Sequence, residues 1–278
     1  MNISRLEKSF LKKVISNEKF INIILCIVPL VTALLIQIAV LVLGKAVHKL
    51  TASGQEMSTD YQEIVSIIAA VICIITFSRW YKKIKHEKIP AIKSIFSFKL
   101  ILLLVFLGVC LELVVSLILV FLSGPGNSSS SDSASQVTVM TIIFEVLFAP
   151  ISDELIFRGV MLNICRNHMP LALANILQAI AFGIYHGNLV QGIYALVLGL
   201  FLGYLMIWFG SLLVPVFLHV IINLTGNLMF LLPESLKAYG LVIFILSVII
   251  ITFNIILIKK QSVLSKNSFK LPTFFRDN

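Results

Sequence analysis

The sequence predicts an all-α, polytopic membrane helix bundle of about eight transmembrane helices, with both termini cytoplasmic. Three observations carry this expectation. Of 278 residues, 59% are hydrophobic and only 13% are charged, whereas soluble domains run near ~25% charged. Mean hydropathy is +1.02, and apolar runs of membrane-spanning length recur along the chain. The 22 lysines and arginines gather between those runs, as topology determinants and contacts for anionic lipid headgroups do. The net charge of +9 therefore points to membrane lipid and not to nucleic acid. No glycine-rich phosphate loop and no basic stripe with interleaved aromatics is present.

Residues 1–19 form a basic cytoplasmic segment (Arg5, Lys8, Lys12, Lys13, Lys19). The first span runs from Phe20 to Leu43; it is too long for a signal-peptide core and lacks a small-residue cleavage site, so it reads as retained. A polar loop leads to a short second span, Ile64 to Phe77, with Tyr61 and Trp80 as interfacial ends. The basic stretch Arg79–Lys99 precedes a third span, Leu100 to Leu122. Residues 20–122 thus read as a three-helix N-terminal unit, and 123–136, rich in Ser, Gly and Asn, as a flexible low-complexity loop. A five-helix unit follows over 137–258, and a basic tail over 259–278. Its helices are Val137 through the charged segment described next, Leu171–His186, Ile193–Phe209, Leu212–Leu232 and Gly240–Ile258. On this topology the outer loops hold only Lys45, Lys49 and Lys237, which sets both ends inside. Cys26, Cys73, Cys110 and Cys165 are widely spaced in apolar runs and read as small buried hydrophobes.

The candidate site starts from an energetic anomaly. Asp153, Glu154 and Arg158 lie in Ser152–Gly159, a segment continuous with apolar sequence on both sides. A charge at bilayer depth costs at least ~2.5 kcal/mol by insertion scales. Glu154 and Arg158 are four apart and share a helix face, so they can pair, while Asp153 is about 100° round. One neutralised carboxylate leaves the other free as a general base, and spacing alone does not fix which. A buried structural ion pair is the competing account. Phe182 lies one turn before His186 at the end of the fifth helix, where it could brace the imidazole. His219 and Asn223 fall four apart on one stripe of the seventh helix, and interhelical hydrogen bonding alone could account for them. Taken together, a carboxylate, two histidines and an asparagine on three helices supply a water-activating base, a proton shuttle and oxyanion donors. Glu112 and Glu145 are further costly acids; on an ideal helix Glu145 is about 180° from Glu154 and should not share its site. The pairs Gly183/Gly187 and Gly199/Gly203 should let helices approach closely.

Asp153-Glu154-x-x-x-Arg158, Phe182-x-x-x-His186 and His219-x-x-x-Asn223 resemble, in order and spacing, three motifs of the CPBP family. These are intramembrane endopeptidases related to the type II CAAX prenyl protease and to Abi bacteriocin-immunity proteins. The resemblance covers about Val137 to Phe230; the first three spans carry no diagnostic residue. It implies that Asp153 activates water with His186 assisting, that His219 and Asn223 line the oxyanion site, and that Glu154 and Arg158 support them, with Phe182 bracing. The family pattern has glutamate where this chain has Asp153, a carboxylate shorter by one methylene, so Glu154 serving as the base and a non-catalytic scaffold or immunity protein both stay open. The implied substrate is a hydrophobic or lipidated peptide or protein at a bacterial cytoplasmic membrane. No cofactor is expected; were zinc used, His186, His219 and Glu154 would be its ligands, but no His-Glu-x-x-His pair is present. A proton-coupled transporter lacks support, since no matching pair of interrupted helices recurs in two halves. Span counting sets His219 near the inner end of its helix and His186 near the outer end of its own. Their convergence therefore requires tilted helices, a short fifth helix or a deep cavity.

Overall fold

A computed structural model describes residues 18–52, 56–84, 97–123, 137–229 and 239–268. Most of the expected basic segment 1–19, the middle of the basic stretch Arg79–Lys99, all but the first residue of the low-complexity loop 123–136, the end of the expected helix Leu212–Leu232 and the last part of the tail 259–278 lie outside the described residues. Among the described residues the fold is helical with no strand. The helices are α1 (Glu18–Thr51), α2 (Thr59–Ile84), α3 (Phe98–Ser123), α4 (139–165), α5 (Leu171–Tyr185), α6 (Leu189–Phe209), α7 (Leu213–Leu228) and α8 (Gly240–Ser268).

Five of these, α1, α2, α3, α6 and α8, are long and apolar enough to cross a membrane, which makes this a multi-pass membrane protein. The other three depart from the expected spans. α5 and α7 have 15 and 16 residues, so they are about 22 and 24 Å long at 1.5 Å per residue, short of a hydrocarbon core of ~30 Å. α4 is interrupted by two π-helical segments, Phe144–Phe148 and Glu154–Met161.

Local chemistry sets the helix ends. Thr138 and Thr141 cap the start of α4 reciprocally: the Thr138 hydroxyl accepts from the Thr141 amide (3.2 Å), and the Thr141 hydroxyl from the Thr138 amide (3.3 Å). Asn188 Oδ1 accepts from the amides of Val190 (2.9 Å) and Gln191 (3.1 Å) to start α6. α6 stops at Gly210, whose φ of 63° is the left-handed conformation that ends helices.

Two cores result. Buried residues of α1, α2, α4 and α5, among them Phe77, Phe157, Met161 and Phe182, form one; α3, α7 and α8 form the other around Leu100, Leu104 and Leu218. α6 contributes Ala195 and Met206 to the first and Leu198, Leu202 and Phe209 to the second. The expected units 20–122 and 137–258 are therefore interleaved in space, with α1 and α2 packed on α4 while α3 packs on α7 and α8.

α5 and α6 make the most extensive helix pair, and glycines set their separation. A Cβ added at Gly183 would sit 2.6 Å from the Gly192 carbonyl oxygen, and one at Gly192 would sit 2.8 Å from that of Gly183. Gly199 meets Ala179 and Phe182, and Gly203 meets Asn175 and Gln178. Gly187 differs from the expectation of close packing: nothing lies within 4 Å of its position, and its φ of 67° makes it the residue that reverses the chain after α5. Gly183→Ala should therefore destabilise the protein by about 1–3 kcal/mol through overpacking against backbone, read as a lower unfolding midpoint in detergent. Gly187→Asn should leave that midpoint near wild type, because asparagine tolerates the left-handed region.

Candidate active site

Glu154 and Arg158 are both 0% exposed. The Arg158 guanidinium donates from Nη1 to Glu154 Oε1 (2.8 Å), as the four-residue spacing predicts. Its Nη2 donates to the Gly199 carbonyl of α6 (3.2 Å), and its Cζ lies 4.4 Å from the centre of the Phe182 ring. The same Glu154 Oε1 accepts from His219 Nδ1 (2.9 Å). One carboxylate oxygen thus joins α4 to α7, and the arginine that neutralises it joins α4 to α5 and α6.

Both histidines have one ring nitrogen committed. His186 Nδ1 lies 2.8 Å from the Phe182 carbonyl one turn back. A carbonyl can only accept, so Nδ1 carries the proton and Nε2 is left for other chemistry. His219 Nδ1 faces a carboxylate oxygen and donates in the same way, again leaving Nε2. Phe182 gathers the two rings: its centroid is 4.6 Å from that of His186 and 5.9 Å from that of His219, edge-on in both cases. The two rings do converge: α5 is 15 residues long and ends at Tyr185, and His186 follows it as the C-cap.

Asp153 is 8% exposed and lies in the fields of His219, Glu154 and Arg158. It accepts no hydrogen bond among the described residues. Asn223 is engaged elsewhere: its Nδ2 donates to the Glu145 backbone carbonyl (2.7 Å). The cause is Pro150. In the π segment the Ala149 amide bonds to the Phe144 carbonyl, five residues back. The next bond in that register would join the residue-150 amide to the Glu145 carbonyl, and proline has no N–H. Asn223 satisfies the carbonyl that proline orphans. A primary amide has two N–H bonds, so the second remains.

A π turn takes an extra residue, so a step of 100° per residue fails across Phe144–Phe148. The Glu145 side chain meets α7 at Asn227, whose Nδ2 donates to its Oε2 (2.8 Å). Glu112 accepts from Ser116 (3.0 Å) and packs beside Gly226 of α7.

Several polar residues support the site without belonging to a motif. Asn163 Nδ2 donates to the carbonyls of Arg158 (3.0 Å) and Gly159 (2.7 Å), where the second π segment hands back to α-helix. Gln178 donates to the Gly199 carbonyl (2.9 Å) that also receives Arg158, and to Asn175 Oδ1 (2.7 Å). The signal for these was in the sequence: Asn163, Asn175 and Gln178 are amides in otherwise apolar helices, where a polar side chain needs a partner. Among the described residues no three His, Cys, Asp or Glu side chains are grouped to hold a metal ion. Of the zinc ligands considered, Glu154 and His219 are bonded to each other through Oε1 and Nδ1.

Residues 135–225 match the family model described as type II CAAX prenyl endopeptidase Rce1-like. The matched segment is a third of the chain and contains all three motifs, and it supports their resemblance to the CPBP family. No curated protein and no solved structure matches the chain.

Two variants test this geometry as structure. Arg158→Met strands Glu154 as a buried, uncompensated charge and should cost about 3–5 kcal/mol, measured as unfolding free energy in mixed micelles. Asn223→Ala should cost about 1–3 kcal/mol by unpairing a buried carbonyl. That loss should shrink in a Pro150→Ala background, where the residue-150 amide can serve Glu145 instead; equal losses in both backgrounds would contradict the proline account.

Proposed function

We propose that this chain, whose residues 135–225 are of the CPBP type, is an intramembrane endopeptidase acting on a hydrophobic or lipidated peptide at a bacterial cytoplasmic membrane. The observation that carries the reading is the pairing of the two histidines. Each has Nδ1 committed, to Phe182 or to Glu154, and both rings pack on Phe182 beside the Glu154–Arg158 pair.

The chemistry runs through water. Asp153, the carboxylate without a hydrogen bond among the described residues, removes a proton from water as the water oxygen bonds to the peptide carbonyl carbon, and the carbonyl π electrons move onto its oxygen. The oxyanion is met by N–H donors from His219 Nε2 and the second Asn223 N–H. His219 already donates at Nδ1, so serving as an oxyanion donor requires protons on both its nitrogens. The Glu154 and Asp153 carboxylates together then balance His219 and Arg158, and once Asp153 takes the water proton the oxyanion replaces its charge. His186 Nε2 takes that proton from Asp153 and passes it to the departing amine, as the oxyanion's electrons re-form the C=O bond and the C–N bond breaks. This scheme needs no zinc and no other cofactor. The aspartate at 153 favours one second reading, a CPBP-like membrane scaffold or immunity protein that keeps the fold without catalysis.

Proteoliposomes carrying purified protein and a panel of peptides, some prenylated and some plain hydrophobic, separate the two. Wild type should cleave at least one peptide. Asp153→Ala, His186→Ala and His219→Ala should each lower kcat by about 10²-fold or more, and a chelator should leave the wild-type rate unchanged. A wild type that cleaves nothing, or histidine variants as fast as wild type, would sink the endopeptidase reading.

A further inference from the structure

The first span reaches the site through one polar contact. Gln37, midway along α1, donates from Nε2 to the Tyr185 hydroxyl at 2.6 Å across 148 residues of sequence. Tyr185 is the residue before His186. Its ring lies edge-on to Phe157 (5.2 Å between centroids), four residues after Asp153 on α4, and to His186 (6.4 Å). A phenol has a single hydrogen. With the Gln37 N–H received at the oxygen, that hydrogen is left to donate to another acceptor. Asp153, on the helix that Tyr185 packs against through Phe157, is a carboxylate with no hydrogen bond among the described residues.

Resting on the endopeptidase reading, we infer that Tyr185, fixed by Gln37, is a further catalytic residue that holds the attacking water against Asp153. The water donates one hydrogen to the Asp153 carboxylate and accepts the Tyr185 O–H at one lone pair, and its second lone pair forms the new bond to the peptide carbon. Asp153 takes the proton, and Tyr185 keeps its own. The arrangement answers the short side chain at position 153. An aspartate carboxylate falls about 1 Å behind a glutamate, a misplacement on the scale that costs ~10²-fold in rate, and a second donor locates a water that the carboxylate alone would hold loosely. The first span thereby becomes part of the active site.

The test is a mutant cycle in the proteoliposome assay, with unfolding midpoints taken for every variant. Tyr185→Phe keeps the ring and should lower kcat about tenfold or more, with KM and unfolding midpoint close to wild type. Gln37→Leu should move kcat in the same direction. In an Asp153→Glu background the loss from Tyr185→Phe should shrink, because the longer carboxylate reaches the water unaided. The inference is overturned if Tyr185→Phe cleaves as fast as wild type, if its loss tracks a lowered midpoint, if the loss is equal in both backgrounds, or if Asp153→Glu abolishes cleavage. A wild type that cleaves nothing overturns the endopeptidase reading as well, whereas a cleaving wild type matched by Tyr185→Phe overturns this inference alone.

Discussion

The site is arranged around one requirement, that the buried Glu154 and Arg158 neutralise each other and find hydrogen-bond partners inside the bundle. Both are fully buried, in a bundle whose surroundings offer few polar partners. Their partners come from three other helices: His219 from α7, the Gly199 carbonyl from α6 and the Phe182 ring from α5. A buried ion pair is weak support for stability in itself, so its effect here is directional. It dictates which helices come together and at what height, and the two histidines are carried along with them.

Departures from regular helix serve the same end. Pro150, following a π segment, leaves the Glu145 carbonyl without a donor, and the vacancy is filled from α7 by Asn223. The second π segment spans Glu154 and Arg158 themselves, and Asn163 Nδ2 donates to the Arg158 and Gly159 carbonyls within it. A residue type that reads as oxyanion machinery is thus also a structural cap. Asn223 has two amide hydrogens, so the roles do not exclude one another.

Much of this was legible in the chain. The spacing of Glu154 and Arg158 gave their pair, and the order of the three motifs gave the matched segment 135–225. Apolar run lengths gave the long helices, although α5 and α7 fall short and α4 is broken. What escaped has a common physical cause: it depends on register or on contacts far apart in sequence. The bond from Asn223 to the Glu145 carbonyl could not be read without knowing that a π turn intervenes. The partnership of α3 with α7 and α8, and of Gln37 with Tyr185, rests on packing that no local pattern encodes. Gly187 looked like half of a packing pair and is a turn, since a glycine needed for φ and one needed for contact look alike in sequence.

The two short helices have a further consequence. α5 and α7 carry three of the site's residues, His186 at the end of one and His219 and Asn223 within the other, and fall several ångströms short of a ~30 Å hydrocarbon core. Where such helices face lipid, the bilayer thins locally or headgroups and water sink toward the helix ends, at a cost that grows with each ångström of hydrophobic mismatch. The membrane beside the site is then a deformed one, and lipid chain length becomes a variable of the site itself, setting how far water descends toward the carboxylates.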